Sequence, residues 1–411
     1  MKKFFRDIHL YLSLAAGIVI AIVCFTGAAL VFEKEMMQTL YPERYRVSAG
    51  ERRVPLDQLT ASLQQAMPGA QVAGVKVYSD PARTVEINFT EEKNAGQGPA
   101  GKQGQEARPA GAPKGGAPQS AKAGGHKPKG GPEGGKASVA FMDPYSGSLI
   151  ATSSQKSAFF RTMFEMHRWL LVREPGKLIV GVSTTFFLFI ILTGLILWWP
   201  KTQRILKQRL TLKWNAGWKR INHDLHLVLG FYTGIFLFIF AFTGLAWSFE
   251  WFNNGIYTLT NSKKELPEAP QSRVQAGVGP ISFDRALAAA KERMPGAEFY
   301  NLNKPKEDSA AFSVQVMPAN AIHDRASGQL FLDQYSGKVL GTLLFEEKNL
   351  GQRVRGTFYP VHTGSIGGMP GKVLAFICCV AGFTFPITGL IMWLNRLKKE
   401  RRKKGKQLVA Q

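Results

Sequence analysis

Charged residues are absent from four long stretches of this 411-residue sequence, and those gaps are its most informative feature. The stretches are apolar and cover residues 8–32, 178–199, 225–247 and 373–394. A helix needs about 20 apolar residues to cross a hydrocarbon core of about 30 Å. Each stretch is long enough, so we predict four transmembrane helices. The first is too long for a signal peptide and no A-x-A cleavage site follows it, so we expect a retained anchor.

Cysteine is also scarce. The three cysteines, Cys24, Cys378 and Cys379, all lie inside predicted spans. The two long connections between spans therefore cannot be stabilised by disulfides, even in a compartment that permits them. No C-x-x-C-H motif occurs, which excludes covalent attachment of a c-type haem.

Acidic residues number 29 against 52 Lys and Arg, and the basic excess is concentrated in three segments. Basic residues precede the first span, fill the link 201–220 and follow the fourth span at 396–411. All three lie on one side of a chain that crosses four times, and such residues favour the cytoplasmic side. We therefore expect a multi-pass membrane protein with both termini cytoplasmic and basic flanks against membrane lipid. This distribution does not favour a nucleic-acid partner.

The first and third spans repeat one another. His9 aligns with His226, and an F-T-G motif ends 18 residues later in both spans, at Gly27 and Gly244. Small residues of this kind allow helices to approach closely. Alternatively, they leave room for the flat face of a macrocycle.

The second and fourth spans repeat as well. His167 and His362 are each followed, 27 residues later, by the glycine of a T-G-L motif, at Gly194 and Gly389. Internal repetition of this kind determines how the whole fold is interpreted. We predict two tandem copies of one helix–outer domain–helix unit.

The outer connections share a pattern of their own. Each contains a predicted helix that ends in M-P-G-A, a strand-like run and a D-x-Y-S-G turn, at 143–147 and 333–337. We predict a small α+β module in each, with one helix on a few antiparallel strands. Residues 92–136 interrupt the first module with Gly, Pro, Ala, Gln and Lys, so we predict a disordered insertion there.

The predicted fold class is an α-helical membrane protein, a four-helix transmembrane bundle from two tandem repeats with outer α+β domains. The predicted segments are the first span 1–34, the first outer domain 35–160, the second span with its preceding histidine segment 161–200, the basic link 201–220, the third span 221–252, the second outer domain 253–354, the fourth span with its preceding histidine segment 355–395 and the basic tail 396–411.

Four of the seven histidines form two repeat-related pairs. His9 and His226 begin their spans at the predicted cytoplasmic edge, whereas His167 and His362 lie just before the outer ends of the second and fourth spans. Facing histidines in a four-helix bundle can hold two b-type haems, each between two imidazoles. The alternative is that all four are interfacial residues without a ligand.

Two other histidines have different expectations. His223 lies three residues before His226 on nearly the same helix face. Its equivalent in the first repeat is Arg6, so we expect it to contact a haem propionate or a quinone, with iron ligation as the alternative. His323, in the second outer domain, is expected at the surface.

The motifs around these histidines resemble the PepSY-associated transmembrane family. The resemblance is carried by R-D-I-H-L-Y-L at 6–12, M-H-R-W-L at 166–170, N-H-D-L-H-L-V-L-G at 222–230 and P-V-H-T-G at 360–364. The outer modules resemble PepSY domains. The similarity covers nearly the whole chain except 92–136 and the basic tail.

The resemblance implies an iron-regulated inner-membrane protein, since several family members are ferric-siderophore reductases with b haems. It implies two haems, a ferric siderophore or other iron chelate as substrate, and haem-dependent electron transfer. Some related proteins carry a fused flavin- and NADPH-binding module, but no dinucleotide-binding glycine motif occurs in the cytoplasmic segments. We therefore expect a separate cytoplasmic reductase or a membrane quinol as donor.

A second hypothesis assigns no enzymatic activity. PepSY modules also occur in protease propeptides, so the outer domains would bind peptides or regulate a protease while the histidines are structural. A transporter is less favoured, because no ionisable residue lies in the middle of a predicted span.

Overall fold

The computed structural model describes residues 1–91, 137–154, 157–275 and 277–409. The insertion 92–136 lies outside the described residues, so its disorder stays a prediction. The described residues form twelve α-helices and eight β-strands, with a 3-10 turn at Ser365–Gly367. In chain order the elements are α1 (Lys2–Val31), α2 (Glu33–Leu40), α3 (Pro42–Tyr45), α4 (Leu56–Ala66), β1 (Ala70–Tyr78), β2 (Val85–Glu91), β3 (Ala137–Met142), β4 (Leu149–Ser154), α5 (Ala158–Trp169), α6 (Arg173–Trp198), α7 (Gln203–Leu210), α8 (Trp218–Ser248), α9 (Glu250–Leu259), α10 (Phe283–Arg293), β5 (Ala297–Asn303), β6 (Phe312–Pro318), β7 (Gly328–Leu332), β8 (Val339–Leu343), α11 (Leu350–His362) and α12 (Gly368–Val409).

Four of these helices are long and apolar enough to cross a membrane, as predicted: α1, α6, α8 and the apolar part of α12. Helix α12 also continues through the basic tail, which the sequence analysis treats as a separate segment. Lys, Arg and Glu are good helix formers. Arg396 also donates to Glu400, one turn further on, at 2.9 Å, which supports the extension.

The four long helices form a bundle in which α1 and α8 each pack against α6 and α12. Its middle is an apolar core without charged side chains. Small residues bring α1 close to α12: a Cβ on Gly382 would lie 2.7 Å from the Cys24 sulfur. The buried core residues are Ala16, Ile20, Cys24, Phe187, Ile190, Ile191, Leu237, Ala241 and Cys378.

The strands form one antiparallel sheet in the order β4-β3-β2-β1-β5-β6-β7-β8. The sequence predicts two separate modules, whereas strands β1 and β5 pair and join them. Gly74 allows this junction, since a Cβ there would lie 2.6 Å from the Leu302 carbonyl oxygen. Pairing β1 with β5 covers two edges that would otherwise expose unpaired backbone groups.

The helices that lie beside the sheet also connect the two halves. Asp57 in α4 accepts hydrogen bonds from the backbone nitrogens of Phe283 and Asp284, at the start of α10. Asp284 in turn accepts from the backbone nitrogens of Leu56 and Asp57 at 2.8 and 2.9 Å. Each carboxylate therefore caps the other helix and complements its positive N-terminal end.

The sheet lies at one end of the bundle, because the chain leaves the bundle after α1 and α8 and returns at α6 and α12. We call this the sheet end, and the opposite end, with both termini and the link 201–217, the basic end. Helices α5 and α11 precede α6 and α12 at the sheet end. Breaks separate them: Leu170 and Leu171 have φ of 51° and 64°, and Gly364 and Gly368 have φ of 75° and 59°.

Candidate functional site at the two histidine pairs

The bundle contains two pairs of histidines, one pair at each end. The two rings of each pair lie close to each other. His9 and His226 form the basic-end pair, with ring centres 6.5 Å apart. His167 and His362 form the sheet-end pair, with ring centres 6.1 Å apart. Each pair therefore contains one histidine from each half of the chain.

Every histidine of the two pairs engages a threonine on another helix through Nδ1. The partners are His9 with Thr193 at 3.1 Å, His167 with Thr26 at 3.2 Å, His226 with Thr388 at 2.8 Å and His362 with Thr243 at 3.2 Å. Three of the rings also approach a backbone carbonyl through the same nitrogen. These carbonyls are Ile190 for His9, Val23 for His167 and Phe240 for His362, at 2.8–3.0 Å.

The threonines determine which nitrogen of each ring carries the proton. Each hydroxyl donates to the carbonyl four residues earlier in its own helix, at 2.7–3.0 Å. A hydroxyl has one proton, so its oxygen accepts from the imidazole. Nδ1 then carries the hydrogen and Nε2 carries the lone pair. Within the described parts of the chain, no hydrogen bond reaches Nε2 of these four rings.

Each imidazole also packs against the glycine that follows its threonine. The distances from an added Cβ to the ring Cε1 atom would be 3.2 Å for Gly194 and His9, 3.3 Å for Gly27 and His167, 3.4 Å for Gly389 and His226, and 3.3 Å for Gly244 and His362. Each long helix thus carries one Thr-Gly pair against which a histidine packs. That histidine comes from the same half of the chain, either from the other long helix or from the short helix that precedes it. The sequence analysis expected these glycines to admit a neighbouring helix or a macrocycle, whereas the nearest group at each is a histidine ring.

The ring separation at each pair is compatible with two imidazoles that share one metal ion. Two imidazoles that share one six-coordinate iron from opposite sides have ring centres about 6 Å apart, because each contributes a bond of about 2 Å plus about 1 Å from nitrogen to ring centre. Histidines that bind metals usually donate their other ring nitrogen to a second partner. Both features are present at both pairs. The described residues contain no cluster of three or more His, Cys, Asp or Glu that could hold a metal ion.

His223 does not face the basic-end pair in the way that His226 does. Its Nδ1 lies 3.4 Å from the Asp224 carboxylate, and its side chain is 46% exposed. Asp224 is buried and also bonds to Arg220. The geometry therefore favours His226 over His223 as the residue opposite His9.

The expectation that His323 lies at the surface is wrong. The residue is 6% exposed, and its ring packs edge-on against Phe345 at 5.1 Å. Burial lowers the pKa of His323, although the nearby Asp324 carboxylate opposes this effect. The buried contact arises because the loop 319–327 folds back onto residues far along the chain.

The sequence analysis missed two sets of residues around the pairs. Each of the four threonines directly precedes one of the equally spaced glycines, so the F-T-G and T-G-L motifs already included them. The second set is Arg168 and Arg355, which lie beside the sheet-end pair. Neither arginine is matched by an arginine at the equivalent position in the other half of the chain, so comparison of the two halves could not have identified them.

A cavity of about 300 Å³ lies at the sheet end of the molecule. Its lining includes Leu30, one turn beyond the Thr-Gly pair of α1, and Thr363, which directly follows His362. Polar and aromatic groups from both halves complete it. Among them are Lys34, Tyr45, Asp324, Tyr359 and Lys372.

Comparison with known proteins identifies the family. A family model described as the PepSY-associated TM region matches residues 6–396. No curated protein was found that matches the chain. Because the family model spans both histidine pairs, all four long helices and the sheet between them, this chain belongs to the PepSY-associated TM region family.

Proposed function

We propose that this protein is a b-type dihaem protein of the bacterial inner membrane that passes electrons to a ferric chelate at its sheet end. The observation that supports the proposal best is the pair of facing imidazoles at each end of the bundle, 6.5 and 6.1 Å apart, with every Nδ1 already bonded. Histidines that served only as interfacial residues would not need to lie in pairs with Nδ1 bonded to a threonine of another helix.

The proposal includes a tandem repeat of two units. It is supported by the equal spacing of His9 and Gly27 with His226 and Gly244, and by a strand order that is symmetric about the β1–β5 pair. In this scheme each haem site needs one histidine from each unit, so neither unit is complete alone.

Haem b bound at the two pairs would supply a one-electron carrier at each end of the bundle. His9 and His226 would hold one, and His167 and His362 the other. The Thr-Gly pairs would keep the four rings in the ligating tautomer and fix their positions. Gly27 follows His9 by 18 residues, so at a rise of 1.5 Å per residue the two sites lie about 27 Å apart along α1.

The ferric chelate would bind in the cavity beside the sheet-end pair. The cavity is lined by Thr363, the residue after His362, and offers ammonium, carboxylate and phenol groups that suit a polar, oxygen-rich ligand. Lys372 bonds to Glu35 at 2.6 Å, which orders the rim. A chelate larger than about 300 Å³ would enter with only its iron-bearing part. Reduction to Fe(II) would weaken its binding to hard oxygen ligands.

The basic end would face the cytoplasm, where positively charged flanks are favoured. Electrons would enter there from a separate cytoplasmic reductase or a membrane quinol. His223 and Arg6 lie close to the basic-end pair in sequence and would contact the donor or the haem carboxylates. The alternative function, a peptide-binding or protease-regulating membrane protein, requires no haem.

Alanine substitution of single histidines, followed by reduced-minus-oxidised spectra of the purified protein, tests the proposal. His167→Ala or His362→Ala should remove or convert one haem, from two per chain to one low-spin haem, because one imidazole leaves the iron five-coordinate. His9→Ala or His226→Ala should do the same to the other. The sheet-end variants should also lose ferric-chelate reduction.

His223→Ala is the matched control, since it alters a histidine on the same helix without a partner ring. It should retain both low-spin haems. The ligand assignment would be overturned if His223→Ala removed a haem and His226→Ala did not. Wild-type protein purified without any haem would favour the alternative, non-enzymatic function.

A further inference from the structure

We propose that Arg168 and Arg355 form a carboxylate-binding site that anchors the two propionates of the sheet-end haem. The inference rests on the proposed function, because it assigns residues to a cofactor held by His167 and His362. It adds the orientation of that cofactor, with its carboxylates toward the sheet end.

The two arginines converge on the sheet-end pair from different helices. Arg168 directly follows His167 in α5 and interacts electrostatically with His362 and Arg355. Glu174 also acts on Arg168, but its ion-pair partner is Lys177, at 3.8 Å. Arg355, in α11, stacks on Trp247 at 4.7 Å, and Trp247 in turn contacts the His362 ring at 5.5 Å. Two half-buried guanidinium groups therefore lie beside one imidazole pair.

Neither arginine has an acidic partner at ion-pair distance in the described residues. Arg168 has no hydrogen bond to any described residue, and Arg355 uses only Nε, which donates to Asn253 at 2.6 Å. Its two terminal nitrogens are left for another acceptor. Two neighbouring like charges that are partly withdrawn from water are unfavourable unless an anion lies between them.

The basic-end pair provides the contrast. There, Arg6 bonds to Asp7 at 3.1 Å, and Arg220 bonds to the buried Asp224 at 2.7 Å. At the sheet end, Lys372 bonds to Glu35. Arg6, Arg220 and Lys372 therefore each have a carboxylate partner in the chain, whereas Arg168 and Arg355 have none among the described residues.

The repeat does not explain these arginines either. In the alignment of the two halves, Arg168 occupies the place of Thr363, and Arg355 occupies the place of Phe160. One unpaired cation comes from each half, and both arrive at the same site. Arginine binds carboxylates through two parallel hydrogen bonds, and haem b carries two carboxylates, so the numbers and the chemistry match.

The test compares Arg168→Gln, Arg355→Gln and the double variant in full-length protein that carries His9→Ala, so that only the sheet-end haem is counted. The rate of haem transfer to excess apomyoglobin should rise about tenfold for each lost arginine, a typical effect of removing a charge-assisted hydrogen bond. Arg161→Gln and Arg353→Gln are the matched controls, because both are exposed arginines on the same two helices. They should leave the rate unchanged.

Haem b dimethyl ester, which lacks free carboxylates, provides a second readout. Wild-type protein should retain haem b longer than the ester, and the double variant should lose this preference. Arg168→Lys and Arg355→Lys should recover part of the retention of haem b, which separates a charge effect from loss of packing on Trp247.

Three outcomes would overturn the inference. In the first, the double variant releases haem at the wild-type rate. In the second, the double variant with His9 intact keeps both haems but loses ferric-chelate reduction, which would assign the arginines to the substrate. In the third, wild-type protein contains no haem, which would also overturn the proposed function; the first two would leave that function intact.

Discussion

Asp333 and Asp143 occupy the same position in the two D-x-Y-S-G turns but differ in how their carboxylates are bonded. Asp333 is 5% exposed and accepts from the backbone nitrogens of Tyr335, Ser336 and Arg273. Burial alone would raise the pKa of Asp333, but these hydrogen bonds outweigh it and lower the pKa. Asp143 accepts from two backbone nitrogens of its own turn.

Asp333→Asn should therefore destabilise the protein in a pH-dependent way. A carboxylate whose pKa is lowered by folding stabilises the folded state above its unfolded pKa of about 3.9, and this contribution is lost as the pH falls through the folded value. The variant should lose about 1.5–3 kcal/mol of unfolding free energy at pH 7, as expected for hydrogen bonds to a charged group. Denaturant unfolding followed by near-UV circular dichroism measures the loss.

The difference between wild type and Asp333→Asn should shrink as the pH approaches 3. Asp143→Asn is the matched control and should cost less at pH 7, because Asp143 has fewer partners. An equal loss from Asp333→Asn at pH 7 and pH 3 would contradict the electrostatic explanation and would indicate a packing defect instead.

At the residue scale, the spacing of the histidines was enough to group His9 with His226 and His167 with His362. Spacing could not show which ring nitrogen of each histidine makes a hydrogen bond. The threonine partners lie 119–184 residues away along the chain, so only the packing of helices brings them to Nδ1. The same limit explains His323, whose burial depends on a loop that folds onto Phe345.

At the scale of elements, each long helix of the bundle packs against another helix and also contacts a histidine ring of a different helix. The residue that contacts the ring is a glycine, so a side chain at that position should displace the imidazole. Gly194→Val should weaken or remove the basic-end haem, since a Cβ at this position already lies 3.2 Å from His9 Cε1. The spectrum of the sheet-end haem should be retained. The haem:protein ratio and the low-spin spectrum provide the measurement.

Gly230→Val is the control for this experiment, because Gly230 also lies in a spanning helix but has no neighbour within 4 Å of an added Cβ. It should leave both haems in place. Gly27→Val should show the mirror effect and affect only the sheet-end haem. If Gly194→Val and Gly230→Val behaved alike, the glycines would serve general helix packing.

The sheet is the element that sequence patterns described least completely. The alternation of apolar residues predicted strands and a D-x-Y-S-G turn in each outer region. It did not predict that β1 and β5 would pair, because backbone hydrogen bonds between two strands do not impose a side-chain pattern that identifies the partner strand. The reciprocal caps of Asp57 and Asp284 are similarly invisible, since an N-terminal Asp is ordinarily assigned to its own helix.

At the scale of the whole molecule, the orientation in the membrane can be tested by cysteine labelling. In protein whose three native cysteines are replaced by alanine, Asn215→Cys should react with an impermeant thiol reagent only from the cytoplasmic side. Ser120→Cys, in the insertion 92–136, should react only from outside. The expected pattern follows from four crossings with basic segments on the inner side. Right-side-out and inverted vesicles give the two measurements.

Labelling of both positions from one side would contradict the four-crossing topology. It would also remove the separation of the histidines into a cytoplasmic and an outer pair. Replacement of the three cysteines by alanine is itself checked by the haem spectrum, because Cys24 and Cys378 pack in the middle of the bundle.

The sequence by itself determined the number of long apolar helices and the grouping of the four histidines. Both depend on local composition and on spacing along the chain, which can be read from the sequence without knowing any tertiary contact. Only the tertiary structure decided that the two outer regions share one sheet, that four threonines orient the imidazoles, and that Arg168 and Arg355 meet beside one pair. These features depend on groups that are distant in sequence, and their approach is fixed by how the two halves pack together.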